Sequence, residues 1–291
     1  MKLLIIFLVV VGVFCKEMAV TREQTEYLKK HVDWGVVDYE DNIFRGWTMD
    51  EFKETLLTEI PVLDEDLPYF EADKALPSVN SWDEKCIPEP GTKKNCGSSW
   101  AFAVVGMLST RCCLSHTIEK GWLSVQELIN CDTRNHGCKG GWPSWALRYI
   151  AANKGLVHSN CSSYNEGNTR CTRRCEDGKD WKHICNCYGP KQCVSVENMK
   201  GCLKKGPFTV TFAVDNQFTT YKSGIYTCKG SIIGLYSGLA IGHSDNPECH
   251  WTVRAAWGPK WGENGNIKIA CQTCGIHGIY NNGNVMCEQV K

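Results

Sequence analysis

Apolar residues follow two different rhythms along this chain. From Trp100 onward, Trp100, Ala103, Val104, Met107 and Leu108 recur at the spacing of one helix face, which predicts an amphipathic helix with Ser99 at its N-terminus. A second helix is expected to start at Ser124, capped with Glu127. A third begins at Pro143, a favourable first-turn residue, and stops at Gly155. After Pro207 the period changes: Phe208, Val210, Phe212 and Val214 alternate with Thr209, Thr211 and Ala213, as in a strand with one buried face. Further strands are expected over Gly224 to Cys228, Trp251 to Ala255 and Asn266 to Ala270. Helices followed by strands predict an α+β architecture of two lobes, a helical one and an antiparallel β one, with a cleft between them as the binding site.

The N-terminal quarter reads differently. Residues 1–15, MKLLIIFLVVVGVFC, place one lysine before an apolar run too short to span a bilayer, the pattern of a signal peptide. No second apolar stretch of spanning length follows, so the mature form is expected to have no membrane span. Residues 16–75 are rich in charge and free of cysteine. Two helix-start signatures lie within them, Thr21 with Gln24 and Thr48 with Glu51, in which hydroxyl and later side chain satisfy free amides reciprocally. They form a separate segment that ends near Leu76-Pro77.

Of the 19 cysteines, 18 lie between Cys86 and Cys287, an even count that in a secretory chain predicts disulfides. Localisation in the secretory pathway, extracellular or in a lysosome- or vacuole-like compartment, follows from the same features. Cys185 with Cys187 and Cys271 with Cys274 lack the matching cysteines and histidines of a zinc site, so no metal is expected, and no cofactor motif occurs. Lys plus Arg and Asp plus Glu both number 32, and no basic stripe carries interleaved aromatics, so nucleic acid is not an expected partner. Asn160-Cys161-Ser162 fits the glycosylation pattern, in a weak context.

The stretch NCGSSWAF from Asn95 resembles the active-site signature of papain-like cysteine proteases, Cys-Gly-Ser-Cys-Trp followed by a helix. The resemblance continues in the family's order through GCKGGWP (137–143), KGPFTVTFAV (205–214), YKSGIY (221–226) and WGPKWGENG (257–265), and covers residues 76–291. KGLV at 154–157 and the paired cysteines Cys171 and Cys175 are similar to cathepsin B. The segment that would carry the cathepsin B occluding loop is shorter and lacks its adjacent histidines, so dipeptide trimming is not implied. Residues 16–75 resemble the short pro-segment of such zymogens.

The resemblance implies four catalytic positions. The cysteine falls on Ser99, the oxyanion glutamine on Lys93, the histidine on Tyr236, beside Ser237, and the asparagine on Ala255. A serine hydroxyl is a poor nucleophile without an adjacent base, and loss of nucleophile or base costs on the order of a millionfold in well-studied triads. The expected function is therefore a catalytically inactive peptidase homologue, with Ser99 left as a helix cap. Its groove would still bind peptides or proteins: Gly140 and Gly141 resemble the backbone stretch that pairs with substrate, and Trp257 and Trp261 the aromatics of the primed side. Protease inhibitors and the retained pro-segment are further expected occupants.

Two other readings compete. One is an active endopeptidase using Ser99 with an unusual base such as His243; it suffers because seven residues between His243 and Trp251 leave little room for a hairpin. The other is a disulfide-stapled structural or adhesive secreted protein. Cathepsin B pairings carried over by position imply Cys86 with Cys113, Cys96 with Cys138, Cys131 with Cys171, and Cys161 with Cys175, while the other cysteines stay unassigned.

Overall fold

The computed structural model describes residues 16–57, 67–71, 82, 85–278 and 283–291; the signal-peptide segment and the boundary near Leu76-Pro77 lie outside them. The helical lobe is built on α3 (Ser99–Leu114), with α4 (Val125–Cys131) and α5 (Pro143–Asn153) against it. Helix α3 was expected to be amphipathic, but every residue from Ser99 to Cys113 is buried. A helix covered on all sides needs neighbours all round: α4 and α5 pack on one side, and strands β3 (Phe208–Asp215), β6 (Ile232–Ser244) and β9 (Val285–Val290) on the other. At the start of α4, Ser124 accepts from the Glu127 amide. Glu127 does not return the bond; its carboxylate takes the Val157 amide and the Tyr149 hydroxyl instead. Helix α5 ends at Asn153, and Lys154, at φ 60°, makes the left-handed turn one residue before the expected Gly155.

The β lobe is a five-stranded sheet in the order β3-β6-β7-β8-β5, with β5 (Ile225–Tyr226), β7 (His250–Arg254) and β8 (Asn266–Ala270). Strand β3 is buried on both faces, not one. Its threonines are covered because Thr209 Oγ1 donates to the Gly283 carbonyl at 2.6 Å and the Thr211 amide donates to Asn284 Oδ1 at 2.8 Å. The apolar periodicity did not mark the long β6, since Gly234, Gly238 and Gly242 interrupt it. Gly234 is required where it stands: a Cβ there would lie 2.9 Å from Leu56 of the N-terminal region. A second sheet pairs β2 (Cys187–Gln192) with β9, and helix α6 (Val196–Lys205) precedes β3; neither was expected. Among the described residues no helix is long and apolar enough to cross a membrane.

The N-terminal residues form an arm across both lobes. It contains α1 (Arg22–His31), β1 (Gly35–Val36), which pairs antiparallel with β4 (Tyr221–Ser223), and α2 (Met49–Lys53). Thr48 and Glu51 make the full reciprocal cap. At Thr21 only half of it forms: Thr21 Oγ1 accepts from the Gln24 amide, while the Gln24 side chain reaches away to the Asn216 carbonyl. Nine disulfides brace the rest. Four of them join the pairs that the resemblance implies. The others are Cys112–Cys185, Cys187–Cys287, Cys193–Cys202, Cys228–Cys274 and Cys249–Cys271.

Candidate active site

Ser99 sits fully buried where α3 meets β6. It is the first residue of the helix and not its cap. The cap position belongs to Ser98, which makes no side-chain capping bond and instead lies 3.3 Å from the Tyr164 hydroxyl. Ser99 Oγ accepts from the backbone amide of Ser237 at 3.3 Å, and among the described residues no imidazole, amine or carboxylate is bonded to it. The Ser237 hydroxyl turns the other way, to Thr211 Oγ1 at 2.6 Å. An N–H donor at this distance stabilises a lone pair on the oxygen but takes no proton from it.

Lys93, six residues before Ser99, has no exposed surface. Its ammonium donates to the Thr55 carbonyl at 2.8 Å and to the Cys96 carbonyl at 3.3 Å, and stands 3.8 Å from the centre of the Trp257 ring and 5.8 Å from that of Tyr236. Among the described residues it has no carboxylate partner, and burial drives its pKa well below the usual lysine value. Two carbonyls and two aromatic faces are what holds the cation, when it is charged. The Tyr236 hydroxyl accepts from the Ala256 amide at 2.7 Å, and burial raises its pKa, so it is no base near neutrality. Ala255 is buried and contributes no polar side-chain group.

The arm lies against the residues expected to line a groove. Leu57 exchanges both backbone bonds with Leu235, each at 2.8 Å. A Cβ on Gly140 would lie 3.6 Å from Leu57 Cδ2. The backbone groups of Gly140 are themselves engaged, its amide with Gly137 and its carbonyl with His136. Gly141 has no room for a side chain, because a Cβ would meet Asn135 Oδ1 at 2.5 Å. Trp257 is stacked against Phe52 of the arm, with ring centres 5.8 Å apart, and Trp261 packs on Phe218; both tryptophans are buried. The four residues expected to bind a peptide are therefore covered in the intact chain, three of them behind the residues of the arm or its packing partners.

His243 does not belong to this site. Strand β6 runs on through Ser244 and turns back into β7, pairing His243 with Trp251, so a short hairpin does fit between them. Ser237, facing Ser99, is six residues earlier, about 20 Å along an extended strand. The His243 ring packs on Trp251, and Nε2 lies 3.4 Å from Cys249 Sγ and 3.7 Å from Cys271 Sγ. These three side chains are close enough to share a metal ion, but the sulfurs are bonded to each other. Burial, aided by Lys200, pushes the His243 pKa down to about 4.

That shift predicts acid sensitivity. Between pH 6.5 and 4 the unfolded chain binds a proton at His243 that the folded chain refuses, so the stabilisation present above pH 6.5 is lost as pH falls towards 4. The loss reaches about 3 kcal/mol. Urea midpoints at pH 7 and pH 4.5 measure it, and His243→Phe is expected to flatten the difference; an equal slope in wild type and variant would contradict the assignment.

The model of the "Papain family cysteine protease" matches residues 76–283. The chain belongs to the papain family. A relative, "Cathepsin B-like CP3" of Giardia intestinalis, is 31% identical over 206 residues, covering 66% of this chain and 68% of its own. "Zingipain-1" of Zingiber officinale is 31% identical over 201 residues, 67% of this chain and 87% of the relative. Among solved structures, "proCathepsin B S9 from Trypanosoma congolense" superposes with a TM-score of 0.80 at 22% identity, over 92% of this chain and 97% of that one. The last likeness is one of fold, and it includes the arm.

Within this papain-family fold, the sequence reading missed the arm residues that meet the site. Thr55, Leu56 and Leu57 carry no motif, and their contacts with Lys93, Gly234 and Leu235 cross about 40 to 180 positions of chain. The residues around Lys93, Thr92, Lys94 and Asn95, are polar and give no sign that its side chain is buried against the arm.

Proposed function

We propose that this chain is a non-catalytic papain-family homologue of the cathepsin B-like kind, which keeps residues 16–75 as an uncleaved pro-segment and acts by binding. The carrying observation is the partner of Ser99: its hydroxyl oxygen accepts the Ser237 amide and touches no base. An alcohol needs its proton removed to attack a carbonyl. The field of a helix N-terminus supplies at most about 2 kcal/mol, far short of what ionises a serine at neutral pH. Tyr236, Lys93 and Ala255, taken as the substituted histidine, glutamine and asparagine, support the same reading: a phenol held neutral, an amine turned to carbonyls and a methyl group.

The pro-segment is retained on this reading because an inactive protein does not cleave its own chain, and Lys93 bonds it in place. Any peptide or protein ligand of the groove must displace the arm. Nine disulfides support an oxidising, secretory destination.

The purified intact chain is expected to hydrolyse dipeptidyl reporter substrates no faster than its Ser99→Ala variant, and Ser99→Cys is expected to remain at that background, since a thiol without an imidazole stays protonated. Turnover above the Ser99→Ala control, or labelling of Ser99 by a fluorophosphonate, would sink the proposal. N-terminal sequencing of material kept free of other proteases should begin at the arm, near Lys16, and a start near Leu76 would contradict its retention.

A further inference from the structure

Where the arm crosses the domain, the two leave an apolar pocket of about 410 Å³. The arm contributes Ile43, Phe44 and Trp47, and the domain contributes Trp257 and Pro259. The walls are mutually braced: Phe44 stands edge-on to Trp257 at 4.8 Å, and Trp47 edge-on to the same ring at 6.4 Å. Phe44 is buried, while Trp47 keeps part of its surface open. The volume lies within the range of small-molecule sites, which join apolar walls to a few polar groups.

The rim has a sign. Lys94, Asn95 and Lys260 border the pocket, and no acidic side chain lines it. Lys94 is ion-paired with Glu166, but Lys260 is exposed and has no carboxylate partner among the described residues. One uncompensated ammonium and one amide beside an aromatic slot suit a ligand that is apolar at one end and anionic at the other.

We propose that this seam binds a small amphipathic carboxylate, its acyl or aryl body between Phe44, Trp47 and Trp257 and its carboxylate at Lys260. The inference rests on retention of the arm, since half the pocket belongs to it. Occupancy then ties the arm to the domain: ligand at a hundred times its dissociation constant lowers the fraction of arm-open molecules about a hundredfold. A chain whose groove is closed by its own arm thus has a second place to hold a ligand, and the ligand keeps the groove closed.

The test uses the intact chain with decanoate as probe, followed by tryptophan fluorescence and equilibrium dialysis, with mass spectrometry of the same sample. Decanoate is expected to bind saturably at one per chain, and decylammonium at least tenfold more weakly. Trp47→Ala and Lys260→Glu should each weaken decanoate at least tenfold, whereas Lys182→Glu, outside the pocket lining, should leave it unchanged. Saturating decanoate should slow proteolysis of the arm. Equal binding of the ammonium, or binding indifferent to both pocket variants in chains that retain the arm, overturns the inference alone. Mass spectra showing that the arm has been lost overturn the retained-arm reading, and the inference with it.

Discussion

Replacing Arg111 by alanine is expected to destabilise the protein by about 4 kcal/mol, one of the two largest effects of any single substitution considered. Arg111 is buried in α3, and its guanidinium donates to four backbone carbonyls: Pro207 at 2.9 Å, Gly206 at 2.9 Å, Cys287 at 2.9 Å and Lys205 at 3.2 Å. Those carbonyls lie in the turn from α6 to β3 and in β9, so one side chain joins the central helix to the start of the β lobe and to the C-terminal strand. Burial lowers its pKa to about 9, which leaves it charged at neutral pH. A charge buried without a counter-ion costs several kcal/mol, and the four acceptors are what offset that cost.

Truncation removes the charge and its desolvation cost, but it leaves buried carbonyls without donors at about 1–3 kcal/mol each. Water entering the vacated space recovers part of this. The carbonyl losses win, by a margin of roughly the stated size. Arg111→Lys is expected to lose about half as much, because one nitrogen cannot reach all four acceptors. Urea unfolding with the disulfides intact measures both, and a loss below about 1 kcal/mol for Arg111→Ala would mean that the carbonyls find other donors.

The helical lobe and the strand after Pro207 were legible because each is specified locally: a 3.6-residue period, a Ser or Pro at the start of a helix, a two-residue alternation. What failed to show was decided by partners distant in sequence. Strand β6 reads as a broken apolar run because its glycines make room for other segments, Gly234 for Leu56 and Gly238 for Val253. Thr209 and Thr211 read as a wet face because the residues that cover them, Gly283 and Asn284, come 74 and 73 positions later. Strand β2 contains Gly189 and Pro190, both poor strand formers, and is held by pairing with β9 and by the Cys187–Cys287 disulfide.

The same division runs through the candidate site. Ser99 and Lys93 stand out in the chain through the resemblance of the surrounding motif to the papain-like signature. The state of Ser99 depends on the Ser237 amide, a backbone group with no signature. The groove illustrates the point most fully: glycines and tryptophans marked it in the sequence, yet nothing in those motifs tells whether it is open. That answer lies in Phe44, Phe52 and Leu57, ordinary apolar residues of a charged segment.

Phe52 supplies the second large effect. Its side chain is fully buried, stacked on Trp257 at 5.8 Å and on Phe218 at 6.4 Å, with Phe44 edge-on at 5.0 Å. Phe52→Ala deletes a buried aromatic at about 3–5 kcal/mol, including the cavity left between the three rings. Because α2 is five residues long and its other anchors are the Leu57–Leu235 pairing and the Lys93–Thr55 bond, this loss falls on the arm's attachment before it falls on the domain. Segments of low local stability open without global unfolding. The expected result is an arm cleaved by added protease at least a hundredfold faster, with Trp257 emission shifted to the red, while the braced domain from Cys86 onward unfolds at nearly its original temperature. Combining Phe52→Ala with Lys93→Met should not be additive, since both act on the same seam within a few ångströms. If Phe52→Ala instead lowers the melting temperature of the whole molecule in one transition and leaves arm proteolysis unchanged below it, arm and domain form a single cooperative unit, and the arm is as much a part of the core as α3.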